Sequence, residues 1–430
     1  MSGNKKRPLV PQLRFGEFRE AGEWEKSQLS KYVDSLDAGV SVVSGDRPAG
    51  SNEVGILKTS AVTDGVFSSQ ENKVVLDKGE LQRVKEPVSE NSIIISRMNT
   101  PALVGANAYV ANSLENIFLP DRLWAAKPKR NTSMRFIAFV LGSEKGRAAL
   151  SKLATGTSGS MKNITKPDVL ALEIAAPSFA EQQKIADCLS SLDERIAAEA
   201  NKLDTLKAHK KGLMQQLFPA DGKTVPRLRF GKYREKGKWK ERKLGSIGTF
   251  TGGGTPSKDK ENYWVGKNPW ISSSDISEDN IQDIRISRFI SDEAIKETTT
   301  RLVPENSILI VSRVGVGKIA ITRMSICTSQ DFTNFTPDHD NLVFLAYCIK
   351  SLKNTFLAFN QGMAIKGFTK DDASNLRIPL PSLEEQQKIA DCLSSLDELI
   401  TAQAQKIELL KRHKKGLMQQ LFPTQDEESA

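Results

Sequence analysis

The chain is poor in the residues that most often carry catalysis or metal binding. Its 430 residues include only three histidines and four cysteines. His209 and His413 fall at equivalent places of an internal repeat, which leaves only His339 elsewhere, so a histidine-based nucleophilic site is not expected. The cysteines show no CxxC-type spacing, and Cys188 and Cys392 share a repeat position. All four are therefore predicted to be reduced thiols rather than metal ligands or disulfide partners.

Long apolar runs are also missing. No stretch approaches the length of a membrane-spanning helix, and residues 1–11 form a polar arm without the apolar segment of a signal peptide. With 39% hydrophobic and 26% charged residues, the composition is typical of a globular protein that can bury two separate cores. A cytoplasmic location is expected.

Two motifs of nucleotide chemistry are incomplete. An adenine-engaging Asn-Pro-Pro-aromatic motif does not occur, because residues 268–270 read Asn-Pro-Trp. The run Gly-Val-Gly-Lys at 315–318 resembles the end of a P-loop, but Ser312 replaces the first glycine of that motif and Ile319 replaces its magnesium-binding Ser or Thr. We therefore predict that residues 315–318 form a turn beside a strand and not a P-loop. No carboxylate cluster at a recognisable spacing supports a nuclease.

What the chain does contain is a tandem duplication. Residues 181–219 and 385–423 share 31 of 39 positions without a gap, 204 residues apart. A second repeat, which we call the lead-in segment, occurs at 11–22 and again at 226–237, followed by Trp24 and Trp239. The regions between these repeats are much less alike. A fixed element therefore carries two different globular regions.

These repeats define the predicted domains. We expect an arm and lead-in segment at 1–23, a first globular region at 24–180, a first long helix at 181–219, and a linker with the repeated lead-in segment at 220–238. A second globular region at 239–384, a second long helix at 385–423 and an acidic tail at 424–430 follow.

Apolar residues in both copies follow a heptad pattern, which predicts helices that pack along a seam. Glu199 and Lys210 interrupt the seam of the first copy, and Gln403 and Lys414 that of the second. Such polar residues either fix the register of the helices or lie at the edge of the seam. The predicted seam residues are Ile185, Leu189, Leu192, Ile196, Leu203, Leu206, Leu213, Leu217, Ile389, Leu393, Leu396, Ile400, Ile407, Leu410, Leu417 and Leu421.

Near-identical seams pack most naturally as a two-fold pair, which favours antiparallel helices with one globular region at each end. A parallel pair would place both regions at one end. Each helix would span roughly 55 Å at 1.5 Å per residue. Such a pair could hold two readers of duplex DNA more than one helical turn apart.

The charge of +9 and the pI near 9.2 favour a polyanionic partner. Residues 181–217 contain six acidic and six basic residues, so the excess lies outside the first helix. In the globular regions, two apolar runs predicted to be strands, at 92–96 and 307–312, end at Arg97 and Arg313. Each arginine either reads a base from the loop after the strand or forms a structural ion pair.

Loop chemistry adds further candidates. The run Gly-Gly-Gly-Thr-Pro-Ser-Lys at 252–258 predicts a flexible loop suited to a phosphate backbone. Thr165 and Thr369, each with Asp three residues later, predict helix N-caps preceded by loops that carry lysines. The candidate DNA-binding residues are Lys58, Arg97, Asn99, Arg122, Lys162, Asn163, Thr255, Lys258, Tyr263, Ser272, Arg313, Gln330 and Lys366.

Taken with the repeats, the segments at 252–264 (GGGTPSKDKENYW), at 378–398 with its copy from Pro177, and the helix ends KKGLMQQLFP resemble the specificity subunit of type I restriction-modification systems. The resemblance covers nearly the whole chain. It implies an α+β fold: two mixed α/β target-recognition domains separated by two long helices that form an antiparallel coiled coil, with pseudo-two-fold symmetry from the tandem repeat.

The resemblance also implies a non-catalytic role in phage defence. Each domain would read half of a bipartite, asymmetric duplex site, and the helices would dock two modification subunits, which methylate adenine with S-adenosylmethionine. Restriction subunits would cleave unmodified DNA with ATP and Mg. No cofactor or metal is expected on this chain. The first region lacks the Gly-Gly-Thr-Pro loop and has residues 37–50 instead, so the halves should read different sequences. A protein-binding scaffold with two variable domains is the alternative.

Overall fold

The computed structural model of the protein describes residues 8–63, 65–155, 161–220, 222–358 and 367–423. It divides into two compact units. The first unit combines the chain up to Ala198 with the segment from Ile407 onward, and the second runs from Glu199 to Lys406. Each unit therefore contains one globular region, the start of the helix that follows this region and the end of the other long helix.

The first unit consists of short strands and few helices before the first long helix begins. Its strands are β1 Glu25–Gln28, β2 Val33–Ala38, β3 Gly55–Leu57, β4 Asn72–Val74, β5 Pro87–Val88, β6 Ser92–Ser96, β7 Met98–Asn99, β8 Asn107–Val110, β9 Leu114–Phe118, β10 Leu123–Pro128, β11 Lys162–Asn163 and β12 Glu173–Ala176. Its helices are α1 Lys78–Leu81, α2 Met134–Gly142, α3 Glu144–Lys152, α4 Lys166–Leu170 and the beginning of α5 Phe179–Leu217.

The second unit repeats this plan with fewer strands. Its strands are β13 Lys240–Lys243, β14 Gly248–Gly252, β15 Asn268–Ile271, β16 Arg288–Ile290, β17 Leu302–Val303, β18 Ser307–Val311, β19 Ile319–Thr322, β20 Ile326–Thr328, β21 Phe332–Pro337 and β22 Arg377–Leu380. Its helices are α6 Asp292–Glu297, α7 Leu342–Ser351, α8 Lys353–Ala358, α9 Lys370–Asn375 and the beginning of α10 Leu383–Leu421.

The sheets of the two units correspond. An antiparallel sheet has the order β2-β10-β6-β8 in the first unit and β14-β21-β18-β19 in the second. A mixed sheet has the order β4-β3-β9-β5 in the first unit and β16-β15-β20-β17 in the second. A strand pair, β1·β12 in the first unit and β13·β22 in the second, joins the start of each region to its end. The α+β architecture predicted from the sequence is confirmed.

The predicted strands at 92–96 and 307–312 are central and buried. Every residue of β6 and β18 is buried, because each strand has a sheet neighbour on both sides and packs on both faces. Asn91 and Asn306 precede them with φ of 52° and 59°. Asparagine tolerates this left-handed backbone better than most residues, which accounts for the asparagine before each strand.

The two long helices are confirmed, with 39 residues in each of α5 and α10. Both begin and end two residues before the predicted limits. In the second unit, Glu199 of α5 contacts Gln403 of α10, whereas the later Lys210 contacts the earlier Asp397. In the first unit, Asp193 of α5 contacts Lys414 of α10. Near the start of α5, Glu181 pairs with Arg14, and the backbone N–H of the adjacent Leu13 donates to the carbonyl of Gln420, near the end of α10. The paired segments are therefore antiparallel in each unit.

None of the sixteen predicted seam residues is exposed. The polar interruptions are also turned inward and paired. Lys210 and Asp397 have side chains that are each 7% exposed, and the Asp397 carboxylate also accepts from the Tyr347 hydroxyl. At the equivalent place of the first unit, Lys414 donates to both oxygens of Asp193 at 2.6 Å, and these side chains are 21% and 42% exposed. These observations favour the register role over the edge position.

Each lead-in segment is clamped to the start of the long helix of its own repeat. Arg14 donates to both carboxylate oxygens of Glu181 at 2.8 and 2.7 Å, and Arg229 makes the same pair with Glu385. Both pairs are almost completely buried. Because the four residues come from the repeated sequences, the duplication preserves this contact in both units.

An aromatic group closes the core of each unit. In the first unit, the Trp24 and Phe136 rings pack against Phe422, just after the end of α10. In the second, Phe344 lies between Trp239 and Phe218, just after the end of α5. The end of α10 thus completes the core of the first unit, and the end of α5 completes the core of the second.

The cysteines form no disulfide. Cys327 and Cys348 are buried, and burial raises the pKa of each thiol to about 12. Cys188 and Cys392 are half-buried on the long helices. All four are free thiols, as the sequence predicts.

Candidate nucleic-acid interface

The predicted helix caps are confirmed, and they position the loops that precede them. The Thr165 hydroxyl accepts from the backbone N–H of Asp168 at the start of α4. Thr369 forms a complete capping box with Asp372 at the start of α9. These short helices fix the residues just before them against the loop that follows the central buried strand.

In the first unit, this arrangement collects several predicted site residues. The strand β7 follows β6 after a single residue, Arg97, and pairs with β11, so that Asn99 lies opposite Lys162 and Met98 opposite Asn163. The backbone N–H of Ile164 donates to the Arg97 carbonyl at 2.9 Å. Arg97, Asn99, Lys162 and Asn163 therefore belong to one local structure, although 62 or more residues separate the two strands in sequence.

The Arg97 side chain is half-buried and stacks on an aromatic ring. Its guanidinium lies 5.7 Å from the centre of the Trp124 ring, and the Lys166 ammonium lies 5.9 Å from the same ring. Among the residues that the structure describes, the guanidinium has no carboxylate partner. The ion-pair interpretation of Arg97 is therefore wrong, and a cation–π contact holds the group instead.

Two polar atoms near this loop are buried without a hydrogen-bond partner in the described chain, Arg97 Nε and Asn163 Oδ1. A buried polar group without a partner costs free energy and is uncommon in native structures. A guanidinium and an amide are also the side-chain groups that make paired hydrogen bonds to guanine and adenine. The site therefore has the chemistry of a base reader.

The sequence patterns select neither Trp124 nor Lys166. Trp124 lies on β10, which pairs with β6, and its ring supports both cations. Lys166 is the first residue of α4 after the Thr165 cap. The capping motif contains a signal for Lys166, whereas the pairing of β10 with β6 is not encoded by any local pattern.

Two further candidates of the first unit lie in different settings. Arg122 is exposed, and its carbonyl accepts from the Arg97 N–H at 3.0 Å, which places it beside the cluster. Lys58 precedes a 3₁₀ turn at Thr59–Val62 and pairs with Glu71 at 3.6 Å. Glu71 also accepts from the Ser60 hydroxyl, so Lys58 belongs to a surface network.

The second unit presents a different residue at the equivalent place. The backbone N–H of Phe368, which corresponds to Ile164, donates to the carbonyl of Ser312. Ser312, not Arg313, is thus the structural counterpart of Arg97. Arg313 is one residue further along and exposed, with no ion pair among the described residues. The sequence interpretation that paired the two arginines is wrong by one position.

The glycine run at 252–254 is not a flexible loop. A Cβ at Gly253 would lie 1.9 Å from the Ser329 carbonyl oxygen, and one at Gly254 would lie 2.5 Å from the backbone nitrogen of Thr300. The Gly254 N–H donates to the Thr328 carbonyl at 2.8 Å. The glycines are required for close backbone approach, and they fix the residues that follow.

This fixed segment carries two of the predicted residues to one place. The Thr255 hydroxyl donates to the amide oxygen of Gln330; Thr255 is half-buried and Gln330 is exposed. Ser312 bonds through its backbone N–H and its hydroxyl to the carbonyl of Asp331, beside Gln330. Thr255, Gln330 and the Ser312–Arg313 loop therefore share one edge. Lys258 is exposed three residues beyond Thr255.

Tyr263 and Ser272 are engaged inside the second unit. Tyr263 is buried, and its hydroxyl donates to Glu297 at 2.5 Å and accepts from Lys260 at 2.8 Å. Ser272 caps the turn Ser273–Asp275 and contacts Arg288. Burial raises the pKa of Asp275, but bonds from Ser272 and the charge of Arg288 hold it below its ordinary value. Both candidates support loops from within.

Residues 315–318 form a turn between β18 and β19, as predicted. A strand rather than a helix follows, so this is not a P-loop. Its Lys318 donates to the Ser273 carbonyl at 3.3 Å. Lys366, the arm at 1–7 and the acidic tail at 424–430 lie outside the described residues.

Over the described ranges, no group of three or more His, Cys, Asp or Glu side chains is arranged to hold a metal ion. The same ranges contain no helix with the length and apolar character needed to cross a bilayer.

Two equivalent α+β units, each presenting polar side chains at the loops around one buried strand, define a duplicated recognition protein. The family model for the type I restriction modification DNA specificity domain matches residues 45–208 and 236–412. These segments make up most of the chain, and the chain belongs to this family.

Curated relatives carry the same description. The MjaIX specificity subunit of Methanocaldococcus jannaschii is 33% identical over 180 residues, which cover 40% of this chain and 41% of that relative. The putative MjaX specificity subunit of the same organism is 22% identical over 410 residues, 93% of each chain. The EcoR124I/EcoR124II specificity subunit of Escherichia coli is 33% identical over 173 residues, 37% of this chain and 41% of that one.

Solved structures show the same fold at low sequence identity. The S subunit of a type I restriction-modification system from M. genitalium superposes with a TM-score of 0.60, 18% identity and coverage of 97% of this chain and 100% of that one. A chain from a structure of complex assembly and conformational transition in a type I R-M system gives a TM-score of 0.54 at 19% identity, covering 94% and 98%.

Proposed function

We propose that this chain reads a bipartite, asymmetric duplex DNA target, with one half-site for each unit. The observation that carries the proposal is the contrast at one equivalent position of a repeated scaffold. Arg97 on Trp124 occupies it in the first unit, and Ser312 with an exposed Arg313 occupies it in the second. A duplicated frame with different side chains at the same place reads two different sequences.

The chemistry of the first unit supports direct base recognition. An arginine that an aromatic face holds in place loses little conformational entropy when it binds, and guanidinium groups make paired hydrogen bonds to the O6 and N7 atoms of guanine. Asn163 adds an amide group of the kind that pairs with adenine, whereas the Asn99 amide is already bonded to Ser96 and Thr100. The exposed Arg122 and the half-buried Lys162, on the same local structure, are suited to phosphates, which fix the position of the protein on DNA.

We further propose that the chain is a non-catalytic subunit. Its long helices would dock two modification subunits that methylate adenine, and restriction subunits would join the assembly. S-adenosylmethionine, ATP and Mg would then act on those partners. Support comes from the membership of the family and from the incomplete methyltransferase and P-loop motifs. The paired polar residues on the seam would keep the helices in a single register for docking.

Methylation mapping tests the function directly. Modified adenine is mapped by sequencing DNA from three kinds of cell. The first carries the chain with its modification partner, the second lacks this chain alone, and the third is the deletion strain with the gene for this chain restored. We expect a bipartite adenine motif that disappears with the deletion and returns on restoration. If an active system kept the same methylation pattern after the chain was deleted, the alternative of a protein-binding scaffold would be favoured.

A further inference from the structure

The positive charge of the chain is concentrated in one segment of the second unit. Residues 223–243 contain ten basic and two acidic residues, a net charge of +8 in a chain whose total is +9. The equivalent residues of the first unit, 8–28, contain three basic and four acidic residues, a net charge of −1. This difference in net charge between the two segments is far larger than the difference in net charge between the two long helices.

The fold does not require this charge, because both segments adopt the same structure. Each contains a 3₁₀ turn, at Gly16–Phe18 or Gly231–Tyr233, and continues into an outer strand, β1 or β13. The strand β1 pairs with β12 over four residues, and β13 pairs with β22 in the same way. Lys240 and Arg242 occupy the places of Glu25 and Ser27.

The cations of the two segments also differ in their partners. In the first unit, exposed lysines on and around this segment are neutralised at short distance by the pairs Lys26–Glu173 at 2.6 Å, Lys31–Glu25 at 2.5 Å and Lys184–Glu17 at 3.0 Å. In the second unit, a group of exposed cations that we call the basic strip has no carboxylate partner in the described chain. The basic strip is Lys223, Arg227, Lys238, Lys240 and Arg242.

We infer that the basic strip contacts the phosphate backbone of duplex DNA away from the base-reading loops. Unpaired exposed cations repel one another and attract a polyanion. Lys240 and Arg242 lie two residues apart on a strand, so their Cα atoms are separated by roughly 6.6 Å. Two base pairs of duplex rise about 6.8 Å along the axis. This regular spacing fits the regular charge of a duplex better than the irregular carboxylates of an acidic protein surface.

The inference rests on the proposed function and adds a second, sequence-independent contact to it. Phosphate contacts supply affinity and orientation but carry no sequence information. Among the described residues the first unit has no equivalent strip, so the contact that we infer belongs to the second unit. It would hold the DNA that flanks the second half-site and leave the choice of bases to the recognition loops.

Salt-dependent binding of the purified full chain with its modification partner tests the inference. The dissociation constant is measured by fluorescence anisotropy at a series of KCl concentrations, on a duplex with the mapped target and on one without it. The test variant is K238Q/K240Q/R242Q. The matched control, K26Q/K31Q/K184Q, removes the same number of exposed positive charges from the first unit, where each is already paired.

We expect the test variant to bind both duplexes more weakly. Its plot of log affinity against log salt should be flatter by about 0.9 for each phosphate that the protein no longer neutralises. The test variant should methylate the same motif as the wild type, and the control should keep the wild-type slope. A second variant, K238E/K240E/R242S, carries the residues that the first unit has at the equivalent positions, Glu23, Glu25 and Ser27, and it should show a larger effect.

Three results would count against the inference. An unchanged slope in both variants, with duplex binding intact, would overturn the basic strip while leaving the proposed function standing. A variant that keeps the wild-type slope but no longer assembles with its partner would assign the strip to an acidic protein surface instead. Absence of any salt-dependent duplex binding by the wild-type complex would overturn the proposed function itself, and the strip with it.

Discussion

Arg97 is the residue on which the recognition proposal depends most. Replacing it with alanine removes the guanidinium from the Trp124 face without disturbing a carboxylate partner. A base contact of this kind is worth about 1–3 kcal/mol, so the dissociation constant should rise roughly 5- to 150-fold. Discrimination should relax at one position of the first half-site only.

Competition binding with duplexes that vary single positions of the mapped target would measure this effect. Arg83→Ala is a suitable control, because Arg83 is an exposed arginine already paired with Glu80 at 2.8 Å. An R97A variant with wild-type affinity and wild-type discrimination would remove Arg97 from the interface.

Lys350 gives a second prediction at this scale. Burial, with the nearby charge of Lys210 adding to it, lowers the pKa of Lys350 to about 8, and its ammonium donates to the Glu278 carbonyl. The unfolded chain keeps this proton up to about pH 10.4. Between these values the unfolded state binds more protons, so the stability contributed by this group rises with pH.

We therefore expect the wild type to gain stability relative to Lys350→Met when the pH is raised from about 7.5 to about 9.5, which spans most of the interval between the two pKa values. Urea denaturation of both proteins at the two pH values measures the gain. Parallel pH dependence of wild type and variant would contradict it.

At the residue scale, the sequence reveals side-chain type much better than side-chain partner. Arg97 and Asn163 are predicted from their positions after a strand and before a cap, and both lie in one local structure. Tyr263 is predicted as a surface contact, yet its ring is buried and its hydroxyl is bonded to Glu297. The difference is set by packing between segments that are far apart in the chain.

At the scale of elements, the buried arginine clamps fix each lead-in segment to a long helix. Removing one member of such a pair leaves an unpaired buried charge, which typically costs about 3–5 kcal/mol. Arg229→Met should therefore destabilise the second unit by about that amount, and Glu385→Leu in the same protein should restore part of the loss.

Urea denaturation of the single and double variants tests the clamp. Lys232→Met is the matched control, because Lys232 pairs at 3.3 Å with Glu384, the neighbour of Glu385, at an exposed position. Such surface pairs contribute about 0–1 kcal/mol. Equal effects of R229M and K232M would show that the buried pair has no special weight.

The elements differ in how far the sequence predicts them. The long helices follow from a heptad pattern in which all the information is local, and the structure departs from the predicted limits by only two residues. The strand order β2-β10-β6-β8 could not be predicted in the same way. It depends on pairing between runs of similar apolar composition, and nothing in one run specifies which other run lies beside it.

At the scale of the whole molecule, the compact units do not coincide with consecutive stretches of sequence. The segment from Ile407 onward belongs to the first unit, where Lys414, Leu421 and Phe422 pack with residues from the first half of the chain. A chain that stops after Lys406 should therefore lose protection throughout the first unit and keep it in the second.

Hydrogen exchange and limited proteolysis, read separately for the two units, would measure this difference. A chain that stops after Pro423 is the control and should match the full protein in both units. Equal loss in both units of the shorter chain, or none in either, would contradict the division.

The same division has a consequence for the order in which the protein folds during synthesis. The first globular region leaves the ribosome early, but its core is complete only when Leu417, Leu421 and Phe422 follow, after the entire second unit. The seam of α5 that belongs to the second unit must likewise wait for α10. The half of the protein that is made first is thus finished last, and nascent chains expose near-identical helical surfaces that could join a neighbouring chain before their own partner exists.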